Sequence, residues 1–150
     1  MNKRISWGIS ILKNPEKEFS ALPKKELDQV IANYLVLLLY SGFIAGIFSF
    51  FFSLGRAIYF DTILRAETEY GGVLNYSIGI AISIFFFYIF AGTVIFFCLS
   101  LIIKRIYNKP YVEILKMMAY SSVPLLFFGW VPGAAIPLLI WAIFLFVANR

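Results

Sequence analysis

The sequence predicts an all-α, polytopic helical membrane protein, and three observations carry that reading. Of 150 residues, 61% are hydrophobic and only 14% are charged, against about 45–50% and about 25% in soluble domains. Mean hydropathy is +0.86. The charges leave three long gaps, at residues 29–55, 70–103 and 117–149. A small soluble domain exposes too much of its surface to hide that apolar content. The composition excludes a soluble enzyme, a nucleic-acid-binding domain and a disordered tail. Membrane lipids are the expected surroundings, and no nucleic-acid partner is expected.

Taken in order, residues 1–28 form an amphipathic N-terminal segment. Asn14-Pro15-Glu16-Lys17-Glu18 reads as a helix start, with Asn as cap, Pro at the first helical position and carboxylates at the positive dipole end. Phe19 and Leu22 share a face, preceded by Ile5, Trp7, Ile9 and Ile11. Pro23 is expected to start a second helix that runs into the first span. The segment is expected to lie on the cytoplasmic membrane surface, the alternative being a solvated linker. Residues 29–150 form the transmembrane bundle.

A spanning helix needs about 20 apolar residues. The first gap holds one span, residues 30–54. The second holds one long span, 76–103, which must tilt or extend beyond the hydrocarbon. The third is interrupted by Gly129-Trp130-Val131-Pro132-Gly133, which reads as a turn. It leaves two short helices, 114–128 and 134–148, each reaching about 22 Å. They form either two thin spans or a re-entrant hairpin. The expectation is therefore about four membrane helices, the last two a short Pro/Gly-broken hairpin. No cleavable signal peptide is expected, because the first apolar run begins near residue 30 and is too long for one.

The basic residues fix an orientation. Lys3, Arg4, Lys13, Lys17, Lys24 and Lys25 precede the first span. The first loop carries Arg56 and Arg65 beside Asp61, Glu67 and Glu69, and the second carries Lys104, Arg105 and Lys109, with Lys116 just beyond. The C-terminus ends in Arg150. The positive-inside bias places both termini and the second loop in the cytoplasm.

At this point the chain resembles the Yip-domain family, polytopic membrane proteins named for binding Ypt/Rab GTPases. The resemblance rests on Ile11-Leu12-Lys13-Asn14-Pro15-Glu16-Lys17-Glu18-Phe19, on Tyr111-Val112-Glu113-Ile114-Leu115-Lys116 leading into Ala119-Tyr120-Ser121-Ser122-Val123-Pro124, and on the closing hairpin with Trp130, Pro132 and Pro137. Its motif positions are Asn14, Pro15, Phe19, Tyr120, Ser121 and Pro124. Family members commonly have five spans, one more than expected here. The acidic Asp-Leu-Tyr-Gly-Pro type motif of eukaryotic members is absent, so a small-GTPase partner is carried by family analogy alone. The short N-terminus resembles the prokaryotic branch, which implies the cell membrane of a prokaryote.

Catalytic sets are not found. There is no histidine, which removes the commonest general base and metal ligand. The single cysteine, Cys98, forms no intrachain disulfide. Asp28 and Asp61 fall at helix edges rather than as a buried pair. Lys116 stands one to two turns from Ser121 and Ser122, a poor serine–lysine arrangement. Gly71-Gly72 lacks the Lys-Ser/Thr of a phosphate loop. No cofactor and no metal are expected.

Other features admit two readings. The spans lack the ionisable residues that mark ion pathways. A broken helix at Ser121, Ser122 and Pro124 can line a substrate site, or Pro124 and Pro137 merely kink packed helices. In the first span Ser41, Ala45, Ser49 and Ser53 recur every fourth residue beside Gly42 and Gly46. Small residues so spaced let helix backbones approach, either in a homo-oligomer or to seat the second span at Gly79 and Ser83. Phe85, Phe86, Phe87, Phe90, Phe96 and Phe97 read as lipid-facing or packing residues, and Trp141 as packed against a kink. The chain is read as a non-enzymatic scaffold or adaptor in membrane organisation or trafficking-like processes. Its cytoplasmic contacts are Lys104, Arg105, Lys109 and Lys116 with the basic N-terminus, and its partners are lipids, another copy or another membrane protein. The alternative is a small transporter or channel subunit using the broken hairpin near Ser121 and Pro124.

Overall fold

A computed structural model describes residues 3–64, 70–131 and 133–148. The first-loop charges Arg65, Glu67 and Glu69, Pro132 of the turn, and Arg150 lie outside the described residues, as do the side chains of Lys3 and Arg4. Every regular element is helical: α1 (Lys3–Lys13), α2 (Pro15–Ser20), a 3-10 turn (Leu22–Lys24), α3 (Leu27–Leu64), α4 (Tyr70–Tyr107), α5 (Tyr111–Ser121), α6 (Val123–Phe128) and α7 (Ala135–Ala148). Three stretches are long and apolar enough to cross a membrane: Leu27–Ile63, Gly71–Tyr107 and Tyr111–Phe128. The fourth, α7, has 14 residues, about 21 Å of helix.

α3 and α4 have 38 residues each, about 57 Å, so both extend past the expected spans at each end. They pack antiparallel. Tyr34 stacks on Phe96 with ring centroids 4.2 Å apart, Gly46 faces Ala81, and the Ser77 hydroxyl donates to Ser53 Oγ at 2.9 Å. The link to α5 is short because Asn108 takes a left-handed φ of 50°, which asparagine tolerates at a helix end. Pro110 then starts α5, its carbonyl accepting from Ile114 N at 3.2 Å.

The third apolar helix begins at Tyr111 rather than 114 and is broken at Ser122. Pro124 has no N–H to offer the Tyr120 carbonyl, so the ladder loses a bond there. The turn after α6 falls where the glycines and Trp130 predict it. Gly133, at φ 82°, adopts a conformation open to glycine but strained for L side chains. Pro137 does not kink α7. It lies in the first turn, where a missing N–H has no intrahelical partner to lose.

The core gathers in the half of the bundle nearest the N-terminus. It contains Val30, Tyr34, Leu37 and Leu38 of α3, Phe96 of α4, Ile114, Met117 and Tyr120 of α5, Leu126 of α6 and Phe146 of α7. Trp7, Ile11, Phe19 and Leu22 belong to the same core. The apolar side chains expected to rest on lipid are thus buried in protein. Nor does Pro23 start a helix continuous with the first span: Lys25 is extended, at φ −84° and ψ 141°, and separates the 3-10 turn from α3. Asn14 precedes α2 as expected, but its side chain makes no capping bond; its backbone carbonyl accepts from Glu18 N at 3.2 Å.

Outward, the bundle is apolar. Phe43, Phe51, Phe52, Phe86, Phe87, Phe90 and Phe144 are exposed, far beyond the apolar patches a soluble monomer carries. On the Phe-rich helix Phe96 is buried and Phe85 is half-buried. Trp141 is exposed at 38% rather than packed against a kink.

Candidate functional site

Tyr120 is the centre around which the N-terminal segment assembles. It is fully buried, and its hydroxyl accepts from Trp7 Nε1 at 3.1 Å. The Trp7 ring meets it edge-on, centroids 5.1 Å apart at 87°. Phe19 meets it at 5.6 Å and 68°. Pro15 starts the helix that carries Phe19, and of Asn14, Pro15 and Phe19 it is Phe19 whose side chain meets Tyr120, Asn14 being exposed. Trp7 is the member that sequence reasoning did not single out. Its signal is the i, i+4 pair with Ile11, which sets both on one helix face. Gly8, between them, is in contact with Phe127: a Cβ there would come within 2.5 Å of the Phe127 ring.

Ser121 and Pro124 do not open a polar cavity. Both are buried. The Ser121 hydroxyl donates to Met117 O at 2.8 Å and that of Ser122 to Ala119 O at 3.0 Å. Neither residue lines the two clefts described below. Among the described residues, no buried side-chain nitrogen or oxygen lacks a partner.

The small-residue stripe of α3 divides among three neighbours. The Ser41 hydroxyl lies between the carbonyls of Leu37, at 2.9 Å, and Leu126 of α6. Gly42 and Gly46 seat α4: a Cβ on Gly42 would stand 3.3 Å from Phe85 O, and one on Gly46 2.9 Å from Ala81 O. The matching face of α4 is Ser77, Ala81, Phe85 and Tyr88. It is not the expected Gly79 and Ser83, which are exposed; a Cβ on Gly79 would meet nothing within 4 Å. Ala45, Ser49 and Ser53 line a cleft of about 810 Å³ together with Phe52, Arg56 and Trp130.

The four basic contact candidates differ in what they touch. Arg105 is exposed and Lys109 half-buried. The Lys104 ammonium lies 5.9 Å from the Tyr111 ring centroid, within cation–π range. Lys116 is turned inward and donates to the carbonyl of Lys25, at the break before α3. It is therefore a structural tie and not a free contact. The Lys25 ammonium in turn stands 3.8 Å from the Glu18 carboxylate. These residues border a second, polar cleft of about 520 Å³ lined by Ser10, Glu18, Lys25, Gln29 and Asn33.

Among the described residues no group of three His, Cys, Asp or Glu side chains is placed to hold a metal ion. Cys98 is an exposed free thiol. Compared with family models, with curated proteins and with solved structures, the chain matches none.

Proposed function

We propose that the chain is a non-enzymatic, multi-pass membrane scaffold whose basic cytoplasmic face recruits a partner. The observation that carries this reading is the bond from Lys116 to the Lys25 carbonyl. It joins the basic N-terminal segment, at Lys25, to the middle of α5, and Lys104 at the end of α4 lies over Tyr111 at the start of that helix, which supports a shared basic end for Lys24, Lys25, Lys104 and Arg105. Basic residues there outnumber acidic ones, which suits an acidic protein surface or anionic lipid. Four crossings, with α5–α6 and α7 as thin spans, leave both termini on that side. The dry packing of Ser121 and Pro124 supports a scaffold over a transporter or channel subunit built on the broken hairpin, since such a subunit needs a polar path at mid-depth.

The likeness to the Yip-domain family, of prokaryotic type, belongs to this reading. It is supported by the contact between Phe19 and Tyr120, which unites two of the three stretches that carry the resemblance. The residues serve the docking of the N-terminal segment.

The test is photo-crosslinking from position 17 or 105 in native membranes, paired with solute flux in reconstituted vesicles. The expected result is a discrete protein adduct and no flux. Flux above that of empty vesicles, with lipid-only crosslinks, overturns the scaffold.

A further inference from the structure

The α3–α4 hairpin outruns the α5–α7 hairpin, and the step between them creates the larger cleft. Trp130, at the tip of the shorter hairpin, packs on Phe48 of α3 with ring centroids 4.4 Å apart. The uncharged stretch of α3 continues from Phe48 to Gly55, about 10 Å further. Beyond Trp130, one side of the α3–α4 pair therefore has no helix against it among the described residues. There Phe52, Ile80 and Ile84 wall a cleft of about 810 Å³ with Ala45 at its inner end. Among the described residues lining it, Arg56 is the charged one, and its guanidinium lies 5.4 Å from the Phe60 ring centroid.

An apolar groove ending in one cation matches one kind of molecule. Its walls favour a hydrocarbon chain over water. A guanidinium presents a planar fork of donors that suits a phosphate. The dimensions agree. From Ala45 to Arg56 the helix rises about 16 Å, and one leaflet of a bilayer contributes roughly 15 Å of hydrocarbon. We infer that this groove is a site for one anionic phospholipid, from the leaflet on the side of the α3–α4 connection. The acyl chain lies along Phe52 towards Ala45 and the phosphate sits at Arg56. The inference rests on membrane embedding and is independent of the scaffold role.

Trp130 forms part of the groove and reports on it. The full-length protein is reconstituted in phosphatidylcholine vesicles containing either brominated-chain phosphatidylglycerol or brominated-chain phosphatidylcholine. The quenching that disappears in Trp130→Phe is assigned to the groove. It is expected to reach half its maximum at a roughly fivefold lower mole fraction of the anionic lipid, the contribution of one Arg near an anionic surface. Arg56→Gln is expected to abolish that preference and Arg56→Lys to retain it in part; Arg56 is exposed, so both variants keep the fold. Equal quenching by the two lipids, or a preference that survives Arg56→Gln, overturns the site. A chain that fails to float with vesicles overturns the embedding and the site together, whereas one that floats without preference overturns the site alone.

Discussion

The indole of Trp7 and the phenol of Tyr120 share a hydrogen bond of 3.1 Å across 113 residues of sequence. The bond ties the segment ahead of the first span to the middle of the third apolar stretch. Each polar atom is the other's partner between two buried side chains, so neither is left unpaired.

Tyr120→Phe keeps the ring and removes the acceptor. It is expected to destabilise the fold by about 1–3 kcal/mol, because the Trp7 N–H is left unpaired. Tyr120→Ala also removes the ring against Phe19 and is expected to cost about 3–5 kcal/mol. Thermal unfolding in detergent measures both, and limited proteolysis of Tyr120→Ala should cut first between α1 and α3.

Gly46→Leu should separate α3 from α4, since even a Cβ would stand 2.9 Å from Ala81 O. The expected loss is about 1–3 kcal/mol, typical of overpacking. Gly79→Leu, facing open space, should change the unfolding midpoint little. Equal sensitivity at both glycines would contradict this packing.

A double-mutant cycle on Ser53→Ala and Ser77→Ala should show a coupling of about 0.6 kcal/mol, the size of interhelical hydrogen bonds in membranes. A cycle pairing Ser53→Ala with Ser83→Ala should show none.

Lys116→Met should cost about 1.5–3 kcal/mol, the range for a hydrogen bond to a charged group. Arg105→Ala, on an exposed side chain, should fall within about 0.5 kcal/mol of the parent. Unfolding in detergent separates the two.

In a Cys98→Ala background, Arg56→Cys and Lys109→Cys should be labelled by an impermeant maleimide from opposite sides of sealed vesicles. Labelling of both from one side would overturn the four-crossing arrangement.

Much of the architecture was legible because charge is costly in hydrocarbon. The gaps at 29–55 and 70–103 fall within α3 and α4, and Gly129, Trp130 and Gly133 fall in the turn. The docking of α1 and α2 was not legible. Trp7, Ile11, Phe19 and Leu22 carry the same apolar pattern whether they meet acyl chains or side chains. Nor could the partner face of α4 be chosen from its own small residues. Gly79 and Ser83 have a plausible spacing, but contact depends on the register of two helices, which one helix does not encode. For Lys116 the sequence showed a cation near a boundary. It did not show that the chain breaks at Lys25 and leaves a carbonyl for it.

The unequal lengths of the two hairpins make the molecule lopsided in the direction of the bilayer normal. The apolar flank of α4, residues 76–103, is about 42 Å long and that of α7 about 21 Å. Lipids matched to one flank are mismatched to the other, at fractions of a kcal/mol per ångström. In a bilayer, a step of that size between two flanks is met by tilting the helices or by a local change in film thickness.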